Sequence, residues 1–290
     1  MTDASVASGR RGSLFARKPW LAAILLLIPP MAWLVLAYLG SLVALFVSAF
    51  WSRDSFTGHV VHVYSGDNFH QLVTDSLFRT VTLRTLGIAL AVTVIDAVIA
   101  VPLALFMAKV ASPRVRLALV VAVTTPLWAS YLVKAYAWRG LIAPNGPMDW
   151  LTGGHALGYG LPAVIVTLAY LWLPYMVIPV FAAFDRVPDS LFEASTDLGA
   201  GGWTTIRRVA APLVFPGIAA GSIFTFSLSL GDYITVQIVG GKTQMLGNVI
   251  YGQLVTANNQ PLAAALSVVP LVLIVLYLIA LRRTGALDEL

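Results

Sequence analysis

The chain lacks cysteine altogether and carries few charged side chains. With no cysteine among 290 residues, disulfides, thiolate nucleophiles and cysteine-based metal sites are excluded. Only 11% of the residues are charged and 59% are hydrophobic, whereas soluble domains carry roughly 25% charged residues. So few charges leave too little polar surface for a water-soluble fold. We therefore expect an integral membrane protein.

Apolar runs of membrane-spanning length recur along the whole chain. A helix of about 20 apolar residues crosses a hydrocarbon core that is ~30 Å thick, and the runs are continuous, unlike the alternating strands of a membrane barrel. The sequence predicts an all-α polytopic protein with six transmembrane helices, at residues 20–50, 80–108, 116–138, 161–184, 213–239 and 261–281. The first run is too long for the core of a cleaved signal peptide, so we expect an uncleaved helix that tilts, protrudes or bends near Pro29 and Pro30.

Lysine and arginine are distributed unevenly over the connections between the predicted helices. One side collects twelve of them: Arg10, Arg11, Arg17, Lys18, Lys109, Arg114, Arg116, Arg186, Arg207, Arg208, Arg282 and Arg283. The other side has six: Arg53, Arg79, Arg84, Lys134, Arg139 and Lys242. Because basic residues concentrate in cytoplasmic loops, both termini are predicted to be cytoplasmic, and loops 51–79, 139–160 and 240–260 external. The net charge of +5 has the same explanation, so no nucleic acid partner is expected.

A polar segment interrupts the apolar sequence between the fourth and fifth predicted helices. It reads "SLFEASTDLGAGGWTTIRRVAAPL" from Ser190 to Leu213. Ser190 and Glu193 have the spacing of a capping box, and Gly199 is a typical helix end. The segment predicts a short helix with Leu191, Ala194, Ser195 and Leu198 on one face. A second short helix is predicted over residues 203–209, and Pro212 is expected to end it or to start the next membrane helix.

This segment resembles the EAA loop of the permease subunits of ABC importers. Glu193, Ala194, Gly199 and Pro212 match that signature at its spacing, while Ser195, Val209 and Ala211 replace other apolar or small residues. The resemblance implies a type I ABC-importer permease fold. It also implies a cytoplasmic coupling helix, involving Ser190, Glu193 and Gly199, that docks on a partner ATPase.

The resemblance also suggests how the chain is divided and with what it assembles. Residues 1–19 and 282–290 would be cytoplasmic tails, 20–79 the first helix and an outer loop, and 80–281 the permease core, with the coupling loop at 185–212. Such permeases function with a second homologous permease subunit, two cytoplasmic ABC ATPase subunits and an external solute-binding protein, within the lipid of a prokaryotic plasma (inner) membrane. The chain itself would be non-catalytic, and neither a cofactor nor a metal is expected.

Two further stretches, residues 135–151 and 229–269, look like the spermidine/putrescine permease branch of this family. That branch implies a polyamine as solute. Other solutes of the same importer class, such as a phosphonate, thiamine, ferric ion or an opine, stay open as alternatives. A self-sufficient secondary transporter is a more distant alternative, because no inverted repeat is evident.

The Gly240–Thr243 stretch lacks the first glycine of a phosphate-binding loop, with Val236 in its place. We therefore expect no ATP hydrolysis by this chain.

Two carboxylates fall inside predicted membrane helices, where a charge is costly and marks a pathway or a paired site. They are Asp96 and Asp232; Asp96 could equally accept hydrogen bonds from a neighbouring helix. A cationic solute would also meet aromatic faces. The aromatic candidates for the pathway are Tyr131, Trp138, Tyr170, Trp172, Tyr175 and Tyr233. Lys134 argues against a cation unless it is paired.

Overall fold

The computed structural model describes residues 19–54, 56–154 and 157–284. The predicted N-terminal tail up to residue 18 and the C-terminal tail from residue 285 lie outside the described residues. The chain is all-α, as predicted, apart from one small antiparallel hairpin that pairs Ser52–Arg53 with Val60–Val61. The α-helices are Pro19–Trp33, Gly40–Ser48, Asp67–Thr74, Ser76–Leu105, Pro113–Trp128, Tyr131–Ile142, Pro147–Leu151, Leu161–Arg186, Asp189–Asp197, Gly202–Thr205, Ala211–Gly231, Ile234–Val239, Leu246–Tyr251 and Gln260–Arg282. Four π-helical turns cover Leu34–Leu39, Phe106–Val110, Ile206–Ala210 and Gly252–Thr256.

Five of these helical stretches are long and apolar enough to cross a membrane, and a bent pair makes a sixth. We number them as follows: span 1 (19–48), span 2 (Ser76–Val110), span 3 (Pro113–Trp128 with Tyr131–Ile142), span 4 (Leu161–Arg186), span 5 (Gly202–Gly231) and span 6 (Gln260–Arg282). Span 1 continues through Pro29 and Pro30 as helix and changes to π geometry at Leu34. The short helix Asp189–Asp197, between spans 4 and 5, is called the linker helix.

Span 3 is not the straight helix that the apolar run 116–138 suggested. Its two halves are bent by 100° at Ala129 and Ser130, which both have extended backbones. Helix carbonyls freed by such a break need new donors. The carbonyl of Pro126 accepts bonds from the Ala129 amide and, at 3.0 Å, from Nζ of Lys134. The side chain of Lys134 therefore caps the first half of the span.

Span 5 also differs from its predicted range of 213–239. It begins at Gly202, so the predicted second loop helix is its first part. Pro212 is the second residue of the α-helix Ala211–Gly231, as expected for a residue that starts a helix. A proline ring clashes with the carbonyl four residues before it in an α-helix, and here the preceding turn, Ile206–Ala210, has wider π geometry. The span then ends at Gly231, and Ile234–Val239 is a separate short helix.

Spans 2, 4 and 5 form the packed centre of the molecule. Two apolar clusters run along them: one contains Val92 and Leu168, and the other contains Met176, Phe184 and Val214 near the linker helix. Spans 4 and 5 approach closely because Gly217 and Gly221 face Pro179 and Met176, as small residues do between membrane helices. Span 1 lies outside this centre, and only 6% of the residues in its most apolar stretch are buried.

The external loop predicted at 51–79 has a defined structure. It contains the hairpin, the helix Asp67–Thr74 and the first turn of span 2. The side-chain amide of Asn68 fixes the helix to the end of span 1 by donating to the carbonyls of Ala49 (2.9 Å) and Trp51 (2.8 Å). The loop thus holds span 1 against the start of span 2.

The close contact of spans 4 and 5 leads to a stability prediction. A Cβ added at Gly217 would lie 2.5 Å from Cβ of Ala183 and 2.8 Å from the carbonyl oxygen of Pro179, and such overpacking costs about 1–3 kcal/mol. We expect Gly217→Ala to lower the melting temperature of the detergent-purified protein. Gly87→Ala is the control, because its Cβ would meet nothing within 4 Å. Equal melting temperatures for the two variants would contradict this packing.

Candidate functional site

The linker helix begins differently from the prediction. It starts at Asp189, with Pro188 as the preceding cap residue and no hydrogen bond from a capping side chain. The capping box of Ser190 and Glu193 is therefore wrong. Pro188, with a φ of −62° and a ψ of 138°, sets the direction of entry, which makes Asp189 the first helical residue and places Ser190 inside the first turn. An acidic residue there is favourable next to the helix dipole.

The end of the linker helix agrees with the prediction. Gly199 has a φ of +76°, a conformation that side chains with a Cβ rarely adopt. Its amide donates to the Thr196 carbonyl at 2.8 Å, and the Ala200 amide donates to the Ser195 carbonyl at 3.0 Å. The glycine thus closes the helix and turns the chain towards span 5.

The four residues expected to share one face of the linker helix, Leu191, Ala194, Ser195 and Leu198, differ in burial. Ser195 is buried, and its hydroxyl lies 2.8 Å from that of Thr205 at the start of span 5. Phe192 packs on the apolar cluster of spans 2 and 4, whereas Leu198, which follows the last helical residue, is 88% exposed. The helix therefore attaches to the spans through Phe192 and Ser195. Glu193 is exposed to the surroundings as well.

A second feature lies where spans 3 and 5 break, and we call it the aromatic pocket. It has a volume of about 320 Å³ and is lined by Tyr131, Trp172, Ser227, Leu228, Gly231, Asp232, Tyr233 and Ile234. Tyr131 is the first residue after the bend of span 3, and Asp232 is the first residue after span 5. The two breaks therefore supply the polar groups of the pocket.

Asp232 is held in place by hydrogen bonds from three donors. Its Oδ1 accepts from the Thr235 amide at 2.8 Å, and its Oδ2 accepts from the Thr235 hydroxyl at 3.1 Å. Oδ2 also accepts a short hydrogen bond from the hydroxyl of Tyr131. These bonds orient the carboxylate and satisfy it locally. A buried carboxylate with several donors keeps its position as the surroundings change.

The Asp232 carboxylate has no basic partner in the described part of the chain. The ion pairs found there are Lys109–Asp189 and Arg116–Asp185. Lys134, the cation that argued against a positively charged solute, directs its Nζ to the Pro126 carbonyl instead. The aromatic pocket therefore contains an acidic group, held by neutral donors, beside aromatic rings.

The aromatic rings around the pocket contact one another in one series of four and one separate pair. Trp172 stacks on Tyr131 with 5.9 Å between ring centroids and contacts Tyr175 at 6.0 Å. Tyr175 in turn stacks on Phe224 at 6.2 Å, and Tyr233 stacks on Tyr251 at 5.1 Å. Four of the predicted pathway residues, Tyr131, Trp172, Asp232 and Tyr233, thus line one pocket, and Tyr175 adjoins it through ring contacts.

Three other pathway candidates do not line this pocket. Trp138 and Tyr170 contact each other, with 5.3 Å between their rings. Asp96 is fully buried on span 2, and neither of its carboxylate oxygens has a hydrogen-bond partner in the described residues. The expected hydrogen bond from a neighbouring helix to Asp96 is thus not formed in this structure.

Several residues of the pocket were not anticipated from the sequence. Leu228 and Ile234 line it, and the Thr235 hydroxyl orients Asp232. A signal that could have located the bend of span 3 was Pro126, three residues before it, because proline marks a place where a membrane helix can stop.

Comparisons with known proteins agree with this architecture. Residues 89–284 match the family described as binding-protein-dependent transport system inner membrane component. The inner membrane ABC transporter permease protein YdcU of Escherichia coli (strain K12) is 42% identical over 301 aligned positions, which cover 97% of this chain and 96% of that protein.

A second relative carries a solute in its name. The spermidine/putrescine transport system permease protein PotB of Escherichia coli (strain K12) is 30% identical over 263 positions, covering 88% of this chain and 94% of that protein. Among solved structures, a bacterial ABC transporter that imports the acidic polysaccharide alginate has a chain with a TM-score of 0.70 and 20% identity. That match covers 93% of this chain and 97% of the other, and it concerns the fold alone.

Proposed function

Because the chain belongs to the family of binding-protein-dependent transport system inner membrane components, we propose that it forms part of the pathway of an ATP-driven importer for a small organic cation, a polyamine such as spermidine or putrescine. The chain supplies the pathway and the coupling element, and a partner ATPase hydrolyses ATP. The complete importer contains a second homologous permease, two ATPase subunits and an external solute-binding protein. In this proposal both termini and the linker helix lie on the cytoplasmic side, which the distribution of basic residues supports.

The observation that carries the choice of solute is the aromatic pocket. Asp232 is buried there without a basic partner in the described residues, and Tyr131, Trp172 and Tyr233 add aromatic rings to the lining. An ammonium group is attracted both by a carboxylate and by the face of an aromatic ring. The volume of about 320 Å³ is at the lower end of the usual range for small-molecule sites. The pocket therefore suits a slender cation.

The comparisons support this solute to different degrees. PotB is named for spermidine and putrescine, whereas the name of YdcU specifies no solute. The alginate transporter has the same fold and imports an acidic polysaccharide, so the fold leaves the solute open. For this reason the proposal depends on the chemistry of Asp232 and its neighbours.

Coupling to ATP hydrolysis is assigned to the linker helix. Phe192 and Ser195 attach it to the spans, while Glu193 and, at the end of the helix, Leu198 are exposed. A short helix with a carboxylate and an apolar side chain fits a groove on a partner protein. Closure of the ATPases would move the linker helix as a rigid body and switch the spans between inward-open and outward-open states.

The role of Asp232 is tested by removing its charge. Asp232→Asn preserves the shape of the side chain and removes the attraction for an ammonium group, so we expect at least a tenfold loss, about 1.4 kcal/mol, of radiolabelled spermidine uptake by the reconstituted importer. Asp67→Asn, an exposed acidic residue on the external helix, is the control and should transport normally.

The assembly of each variant is checked by size-exclusion chromatography, since Asp232 also orients Thr235. Tyr131→Phe removes the hydroxyl that contacts Asp232 and Thr235 and retains the carboxylate, so it should lose less activity than Asp232→Asn. Normal spermidine uptake by an assembled Asp232→Asn complex would contradict the proposal. A wild-type importer that takes up an anion and no spermidine would contradict the proposal as well.

Coupling is tested at Gly199. Because this residue has a φ of +76°, Gly199→Val strains the end of the linker helix by about 1–3 kcal/mol. We expect ATP hydrolysis to continue while spermidine uptake falls, or the ATPase to dissociate more readily. Gly201→Val, at a nearby glycine with a φ of −70°, is the matched control. Unchanged uptake and unchanged assembly in Gly199→Val would rule out the coupling assignment.

A further inference from the structure

Lys109 connects three separate parts of the chain at the linker-helix end of the molecule. It lies in the π-helical last turn of span 2, and its side chain is 15% exposed. Its Nζ donates to the Val187 carbonyl at 2.6 Å and to Oδ1 of Asp189 at 2.7 Å. The same ammonium lies 5.7 Å from the ring centroid of Phe192. One side chain thus contacts the end of span 4 and the first two turns of the linker helix.

The three contacts of Lys109 differ in strength. Asp189 is 79% exposed, and an ion pair with so much solvent around it contributes little by itself. The Val187 carbonyl stands at the C-terminal end of the span 4 helix, where the helix dipole favours a cation, and Val187 is buried. The Lys109 ammonium is therefore anchored mainly on the backbone of span 4, and it holds the linker helix from there.

Arg116 makes a parallel connection from the start of span 3. It forms an ion pair with Asp185 at 2.6 Å, and its guanidinium lies 4.9 Å from the ring centroid of Phe181. Both partners belong to span 4. Spans 2 and 3 are thus each attached to residues 181–192, which lead into and form the start of the linker helix.

Span 2 connects the Lys109 end of the molecule with the aromatic pocket through the short helix Leu246–Tyr251. Near its opposite end the Thr85 hydroxyl accepts a hydrogen bond from the Leu246 amide at 2.8 Å. Leu246 starts a short helix whose Asn248 donates its side-chain amide to the Tyr233 carbonyl at 2.9 Å. Span 2 therefore forms a continuous link from Lys109 to Tyr233, a residue that lines the pocket.

From these contacts we infer that Lys109 is a positioning residue for coupling, which makes the linker helix and the end of span 2 move as one body. A displacement of the linker helix then moves span 2 directly, in addition to moving span 5. The movement of span 2 in turn displaces the residues that line the pocket. The inference rests on the proposed function, because an ATPase must supply the displacement. It adds a residue outside the EAA-like segment to the coupling machinery.

The test compares three variants of the complete importer in proteoliposomes. Lys109→Met removes the charge and all donors while retaining a long side chain, and it should lower the amount of radiolabelled spermidine imported per ATP hydrolysed by about threefold or more. Lys109→Arg keeps the charge and should restore most of that ratio. Arg114→Met removes a basic residue at the start of span 3 that has no ion pair or ring contact in the described residues. It should leave the ratio unchanged.

A distance measurement tests the same inference without transport. The chain has no cysteine, so spin labels can be placed at Val110→Cys and Asp197→Cys alone, both at exposed positions. In the assembled complex the distance distribution should be narrow and equal with and without ATP. Lys109→Met should broaden it or make it respond to ATP, and Arg114→Met should not.

The outcomes separate this inference from the proposed function. An unchanged transport ratio together with an unchanged label distribution in Lys109→Met overturns the role of Lys109. A wild-type complex that hydrolyses ATP without importing spermidine overturns the proposed solute, and the label distances then still decide on Lys109. If Lys109→Met fails to assemble, the double variant Asp189→Ala with Phe192→Leu replaces it, because it removes both linker-helix partners of Lys109 and should broaden the distribution. A narrow, ATP-independent distribution in that double variant would then overturn the role.

Discussion

The structure depends on one constraint: inside a bilayer, backbone N–H and C=O groups find no water and must be satisfied by the protein itself. Unbroken helices meet this requirement, and most of the chain consists of them. Where a span stops within the protein, other groups must replace the lost backbone bonds. Span 3 bends at Ser130 and span 5 stops at Gly231. Lys134 donates to the Pro126 carbonyl at the first break, and Asp232 accepts from the Thr235 amide at the second. The aromatic pocket is thus a consequence of two helix breaks that face each other, and broken helices are where transporters commonly build sites.

The linker-helix end is held together mainly by side-chain contacts. The short helix has too few apolar residues to be held by burial alone, since Phe192 is its main contact with the core. Polar contacts complete the attachment: the hydroxyl pair of Ser195 and Thr205, and the bonds from Lys109. Between this end and the pocket, spans 2, 4 and 5 pack closely, with Gly217 and Gly221 allowing spans 4 and 5 to approach. Densely packed helices transmit displacements, so the two polar regions are mechanically connected.

Much of the fold was predictable from the sequence, because hydropathy reports directly on membrane helices. All six spans were located, and Gly199 was recognised as a helix end. The bend of span 3 was missed because the apolar composition continues across it, although Pro126 marked the place. For the same reason the predicted span 5 was extended past Gly231 to residue 239. The capping box failed because the backbone of Pro188 determines where the linker helix starts. The grouping of Tyr131 with Asp232, which are 101 residues apart, requires the tertiary structure, as do the contacts of Lys109 with Val187 and Asp189.

The most direct measurement is a cryo-electron microscopy structure of the complete importer, prepared with spermidine and trapped in a nucleotide-bound state. We expect density for the solute in the aromatic pocket, with an amino group within about 4 Å of the Asp232 carboxylate, where the attraction between opposite charges is strong. Solute density elsewhere, with the pocket closed by side chains or filled by lipid, would contradict the assignment of Asp232 and its aromatic neighbours to the transport pathway.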